Sequence, residues 1–145
     1  VDVAGAPITR VFARISRHVQ DIEVEDTALL LFEHGNGATT SLQVGWCARG
    51  GSVSVQEIFG TTGQIRFGGA SPVNLWTQQS GAWSEVPVRD EQPDELGFPP
   101  LVDAFVRAVL DDGPVPVPGE ESRHVLAAVA AAYESGRTGQ PVDVV

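Results

Sequence analysis

The sequence predicts an α+β fold: an open, mainly antiparallel sheet of about six to eight strands, with two C-terminal helices packed on one face. Short apolar-alternating runs bounded by Gly, Asn and Pro fill the first two-thirds of the 145 residues. The hydrophobic period then lengthens to three and four residues over the last third. Strands first and helices last is the order of that class.

The strands follow in turn. Ile8 to Val19 mixes Val, Phe, Ile and Thr with Arg10, Arg14 and Arg17, a period-two pattern with polar residues on one face. Thr27 to Phe32 is apolar on both faces, so both sides of that strand want cover. His34-Gly35-Asn36-Gly37 is the signature of a tight hairpin turn. Ala38 to Ala48 returns with Leu42, Val44 and Trp46 on one face and Thr39, Ser41 and Gln43 on the other. Ser52 to Phe59 ends at the turn Gly60-Thr61-Thr62-Gly63. Ile65 to Phe67, Val73 to Thr77 and Trp83 to Val88 continue the meander.

After the polar loop Arg89 to Pro93, Pro99 and Pro100 can open a helix at its first turn. Leu101, Val102, Phe105, Val106, Val109 and Leu110 recur at helical spacing, and Asp111-Asp112-Gly113-Pro114 stops the run. A second helix is expected over Glu120 to Ser135, with acids at its start and Gly136 past its last turn. Its apolar stripe reads as Val125, Leu126, Val129, Ala132 and Tyr133. Val142 to Val145 suits a final short strand. Two helices cover only one face of such a sheet, so a further domain or a second copy of the chain is expected on the other, the alternative being that those apolar residues straddle a curled sheet.

Composition narrows the chemistry. A net charge of −10 argues against nucleic-acid backbones and anionic membrane surfaces, and no apolar run is long enough to span a bilayer. The single Cys47 allows no internal disulfide, which is consistent with a reducing, cytoplasmic setting. All nine basic residues are Arg, so the chain supplies no Lys for a Schiff base or a proton relay. His18, His34 and His124 are scattered over a strand end, a turn and a helix start, which makes no metal site. His34 reads as a turn residue and His124 as solvent-exposed. Gly60 to Gly63 lies between two strands, so it lacks the helix N-terminus that a dinucleotide fingerprint needs. No catalytic, cofactor-binding or metal-binding residue is therefore assigned. Val1 suits either a removed initiator methionine or a cut from a longer chain.

Three segments carry a resemblance in their order along the chain: VEDTALLLFEHGNGATTSLQVGW (Val24 to Trp46), VQEIFGTTGQIRF (Val55 to Phe67), and the run from Pro99 to Val144 with Ala-Ala-Tyr-Glu-Ser near its end. Together they resemble the C-terminal domain of the Gfo/Idh/MocA family, the glucose–fructose oxidoreductase and inositol dehydrogenase relatives. The resemblance covers nearly everything from Ile8 onward and implies one domain over residues 1–145. It implies an intact enzyme that moves hydride between a sugar or polyol and NAD or NADP, with an N-terminal Rossmann domain absent here. It also implies a homodimer or higher oligomer through the open sheet face.

In that family a Lys with a His/Asp pair handles the proton. No Lys is present, no His precedes Asp2, and Asp2 sits too close to Gly5-Ala6-Pro7 to match the family Asp. The chain alone is therefore expected to be inactive, with no cofactor of its own. The resemblance places the segment after the Trp-bearing strand toward the substrate. Trp46 could pack a pyranose face, Arg49 and Ser52 could bond hydroxyls or a carboxylate, and Phe98 could approach the same pocket. Against these stand a hairpin with an exposed Arg and a core Trp, and a Phe98 that packs on Leu101 or Val102. Two alternatives remain: a stand-alone binding or scaffold protein, and a small hydrolase using His18 or His124.

Overall fold

A computed structural model describes residues 3–47, 50, 54–68, 71–87 and 98–145. Among the described residues there are eight strands and two helices, both helices at the C-terminal end, which is the expected α+β class. All pairing is antiparallel, and the strands form two four-stranded ladders, β3-β2-β1-β8 and β4-β5-β6-β7. The chain divides into two compact units, Val1–Ala48 with Gly97–Val145, and Arg49–Leu96.

The first unit contains β1 (Ile8–Ser16), β2 (Thr27–His34), β3 (Thr39–Gly45) and β8 (Val142–Asp143), with helices α1 (Phe98–Leu110) and α2 (Gly119–Thr138). Pairing of Val11 with Phe32, Ala13 with Leu30 and Ile15 with Ala28 puts these residues on one face, and Leu42 and Val44 extend it onto β3. Val11 and Ala13 are fully buried there against α2. The opposite face carries Phe12, Leu29 and Leu31 among Arg10, Arg14, Ser41 and Gln43. Leu29 and Leu31 are 52% and 44% exposed, so no described residue supplies the second cover that β2 was expected to need.

Backbone parity fixes where the ladder ends. His34 N–H donates to Ala38 O and Trp46 N–H to Asp26 O, so the hydrogen-bonded pairs of β2 with β3 join even-numbered residues. Thr39, Ser41, Gln43 and Gly45 therefore turn their N–H and C=O groups outward. On β1 the alternation turns Thr9, Val11 and Ala13 away from β2. Thr9 O accepts the Val144 N–H at 2.9 Å. Past the end of β8, the Ala13 N–H donates instead to Ser135 Oγ at 2.9 Å. The hydroxyl of Ser135, wholly buried, donates in turn to Gln140 O at 2.7 Å. A buried backbone donor left alone would cost about 1–3 kcal/mol, which gives this serine its place in the motif.

Helix α2 meets β1 through small side chains. Ala128, Ala131, Ala132 and Ser135 are the buried ones, a stripe at helical spacing. The expected stripe is thus corrected: Val125, Leu126, Val129 and Tyr133 stay exposed, and only Ala132 belongs to both. The expected stop is corrected too. Gly136 lies inside the helix, where an added Cβ would sit 3.1 Å from the Ile15 side chain. The helix ends at Gly139, whose left-handed φ of 71° lets its N–H return to Ser135 O. Glu120 and Glu121 fill the first turn as expected. Helix α1 forms over the expected residues, yet only Ala108 is buried and the helix makes no extended packing on a described strand or on α2.

The second unit is the meander β4 (Gln56–Phe59), β5 (Gly63–Gly68), β6 (Ser71–Thr77) and β7 (Trp83–Glu85). Gly60 to Gly63 closes the β4–β5 hairpin, with Gly60 N–H on Gly63 O at 2.8 Å. One face groups Glu57, Phe59, Arg66, Trp76 and Trp83. There Arg66 pairs with Glu57 at 2.6 Å and lies 5.2 Å from the Trp83 ring centroid. None of residues 54–68 and 73–87 is buried.

Candidate functional site

A dense polar arrangement surrounds Asp26, just before β2. Its carboxylate accepts the backbone N–H groups of His18, Val19 and Gln20 at 2.7–3.0 Å. The Thr27 hydroxyl donates to it at 3.0 Å. Three successive N–H groups converging on one anion form a nest, here filled by the chain's own carboxylate. The bonds from Gln20, Val19 and His18 hold Asp26 far below the usual carboxylate range, against the opposing effect of burial. This capture also ends β1 at Ser16 rather than Val19, because residues 18–20 turn inward to the carboxylate.

Asp26, Gln20 and Thr27 also fix the end of β3. Asp26 O accepts the Trp46 N–H at 2.7 Å, Gln20 Nε2 reaches Trp46 O at 3.4 Å, and the Thr27 hydroxyl lies 3.2 Å from Cys47 Sγ. Trp46 is thus pinned along its backbone, while the residue as a whole is 78% exposed. It is no core tryptophan; it offers an aromatic surface on a fixed strand end. Such a surface can stack an apolar ring face, and it supplies no proton chemistry.

The other expected site residues are distributed differently. Arg49 and Ser52 lie outside the described residues. Phe98 opens α1 and is 59% exposed. The histidines hold structure. His34, buried at the end of β2, bonds Ala6 O and Thr40 Oγ1, so it is more than a turn residue. His124 is half-buried rather than exposed, and its Nε2 accepts the Ile8 N–H at 3.1 Å. His18 bonds Ser16 Oγ at 2.8 Å, but Asp26 holds the His18 backbone and not its ring, so no Ser-His-Asp relay forms.

Sequence reading missed the pair of Tyr133 and Glu25, which stands in a shallow depression of about 420 Å³ between β1 and α2. The Tyr133 hydroxyl donates to Glu25 Oε1 at 2.7 Å, and that bond raises its pKa. Among the described residues no group of three His, Cys, Asp or Glu side chains could hold a metal ion. A dinucleotide does not fit the described helix starts. Glu120 and Glu121 occupy the first turn of α2, and α1 opens with Pro99 and Pro100, which have no N–H to offer a phosphate.

This architecture, a four-stranded ladder backed by an alanine-faced helix with a four-stranded meander as the second unit, is a fold shared with solved oxidoreductases. Residues 2–66 match the model of the GFO/IDH/MocA C-terminal domain, which relates the chain to that family and bears out the resemblance in its sequence. The chain is 27% identical to D-apiose dehydrogenase of Rhizobium rhizogenes over 91% of its length and 41% of that relative's. Its fold is shared with an oxidoreductase from Agrobacterium radiobacter solved with NAD+, L-tartaric acid and magnesium, at 23% identity and a TM-score of 0.79 over 95% of this chain and 44% of that one. Levoglucosan dehydrogenase in complex with NADH matches at 19% identity and a TM-score of 0.82, over 96% of this chain and 45% of the other. The chain spans about two-fifths of the length of the curated relative. Among the described residues no helix is long and apolar enough to cross a membrane.

Proposed function

We propose that this chain is the substrate-binding and oligomerisation domain of a cytoplasmic NAD(P)-dependent sugar or polyol oxidoreductase. Its redox apparatus would reside in a nucleotide-binding domain carried elsewhere. The observation that carries this reading is a fold likeness spanning 95–96% of the chain but 44–45% of dinucleotide-bound oxidoreductases. Hydride transfer needs the nicotinamide and the substrate carbon held near contact, with a group of suitable pKa to take the hydroxyl proton. The chain has no Lys for that role, and its described helix starts do not suit a pyrophosphate. What it offers is one wall of a pocket.

In this proposal Trp46 stacks on a sugar ring, Arg49 and Ser52 bond its polar groups, and Phe98 borders the same substrate. The exposed Leu29 and Leu31 face supports a homodimer or higher oligomer packed face to face. Titrating the chain with NADH tests the central claim. No change in nicotinamide fluorescence is expected, and a saturable shift overturns it. In the longer enzyme, Arg49→Ala is expected to raise KM about tenfold with kcat little changed, the signature of lost ground-state binding. Unchanged kinetics removes Arg49 from the pocket.

A further inference from the structure

We infer that Gln20, Thr27 and Gly45 are positioning residues for Trp46, fixing the strand end from which its indole meets a substrate. It rests on the reading above that Trp46 forms part of a sugar or polyol pocket, and it names the residues that act through that side chain. All four lie in the first unit, so no placement of the second unit enters.

Trp46 is held on both sides of its own backbone. Its N–H donates to Asp26 O at 2.7 Å, and its carbonyl accepts the Gln20 side-chain amide at 3.4 Å. Gln20 is itself anchored, because its backbone N–H donates to Asp26 Oδ2 at 2.9 Å. The residue after Trp46 is fastened as well. The Thr27 hydroxyl gives its one proton to Asp26 Oδ1 at 3.0 Å, so in its 3.2 Å contact with Cys47 Sγ the thiol is the donor. The residue before Trp46 is chosen for closeness. A Cβ on Gly45 would stand 3.3 Å from the same Asp26 O and 3.6 Å from Thr27 Oγ1. Glycine here lets the end of β3 approach near enough for the Trp46 bond to close.

With both neighbours and both of its own backbone groups tied, the Cα–Cβ bond of Trp46 has one direction, and the ring keeps only its two side-chain torsions. An aromatic side chain held in advance loses less freedom when a ligand stacks on it, which tightens binding. None of the three residues is thereby asked to touch a reacting atom. Their loss should raise KM and spare kcat, and it should do so only while the indole is present. A role confined to stability carries no such condition.

The test is a mutant cycle in the longer enzyme, run with the aldose or polyol that it oxidises fastest in a screened panel. Gln20→Ala and Thr27→Val are each expected to raise KM about threefold and Gly45→Ala about tenfold, with kcat little changed. In a Trp46→Ala background the same three are expected to add nothing to KM. Gln20 is an exposed side chain, so Gln20→Ala keeps the test open should Gly45→Ala fail to fold. A readout without substrate uses the 145-residue chain carrying Trp76→Phe and Trp83→Phe, in which Trp46 is the only indole. There Gln20→Ala is expected to add a faster nanosecond component to the fluorescence anisotropy decay. An unchanged KM in Trp46→Ala overturns the pocket reading and this inference with it. A KM that responds to Trp46→Ala but not to the other three, or that they raise equally without the indole, overturns this inference alone. An unchanged anisotropy decay does the same.

Discussion

At the scale of single residues, Asp26 has the widest reach. One carboxylate ties residues 18–20, its carbonyl holds Trp46, and its neighbour Thr27 reaches Cys47. Asp26→Asn keeps the shape but replaces an anion with a neutral amide, so three N–H groups lose a charge-assisted acceptor. The sign follows from the depressed folded pKa. Stability from the carboxylate is complete above its unfolded pKa, about 3.9, and is lost as pH falls below it toward the folded value. Thermal melts are therefore expected to show Asp26→Asn several degrees less stable than wild type at pH 7. The gap should narrow below about pH 4. A gap independent of pH would remove the charge from the explanation. Little of this could be read in the sequence, because the partners of Asp26 are backbone groups that any residue type supplies.

At the scale of elements, strand positions and hairpin turns were legible from alternation and Gly placement, while the face of α2 was not. Hydropathy ranks Val125, Leu126 and Val129 above alanine, so the sequence points to them. A helix lying close to a strand instead selects small side chains, and closeness is a tertiary fact. Gly136 was misread for the same reason: a glycine near a helix end suggests a stop, whereas here it admits Ile15. Gly136→Ala gains about 1 kcal/mol of helix propensity but forces a methyl against Ile15, which typically costs about 1–3 kcal/mol. A net loss of about 1 kcal/mol is expected in urea denaturation. In an Ile15→Ala background the same substitution should cost less, with a coupling of about 1 kcal/mol in the double-mutant cycle. Strict additivity would show that Ile15 is not what the new methyl meets.

At the scale of the whole molecule, the α+β class and its antiparallel strands followed from the order of periodicities, while the division into two ladders did not. Alternation marks a strand without naming its neighbour, and neighbours are what divide β3 from β4. The two units differ in burial. Val11, Ala13 and the alanines of α2 form a core in the first, and none of residues 54–68 and 73–87 in the second is buried. Local opening free energy scales with such burial. Amides of β5 and β6 are therefore expected to exchange with deuterium at least about tenfold faster than those of β1 and β2 in native-state measurements. Equal protection would show that something outside the described contacts stabilises the meander. The alanine seam between α2 and β1 also sets a size ceiling on sequence drift. In a saturation library selected for folded protein, positions 128, 131, 132, 135 and 136 should admit only the smallest side chains, while 125, 126 and 129 on the outward side remain free to vary in bulk.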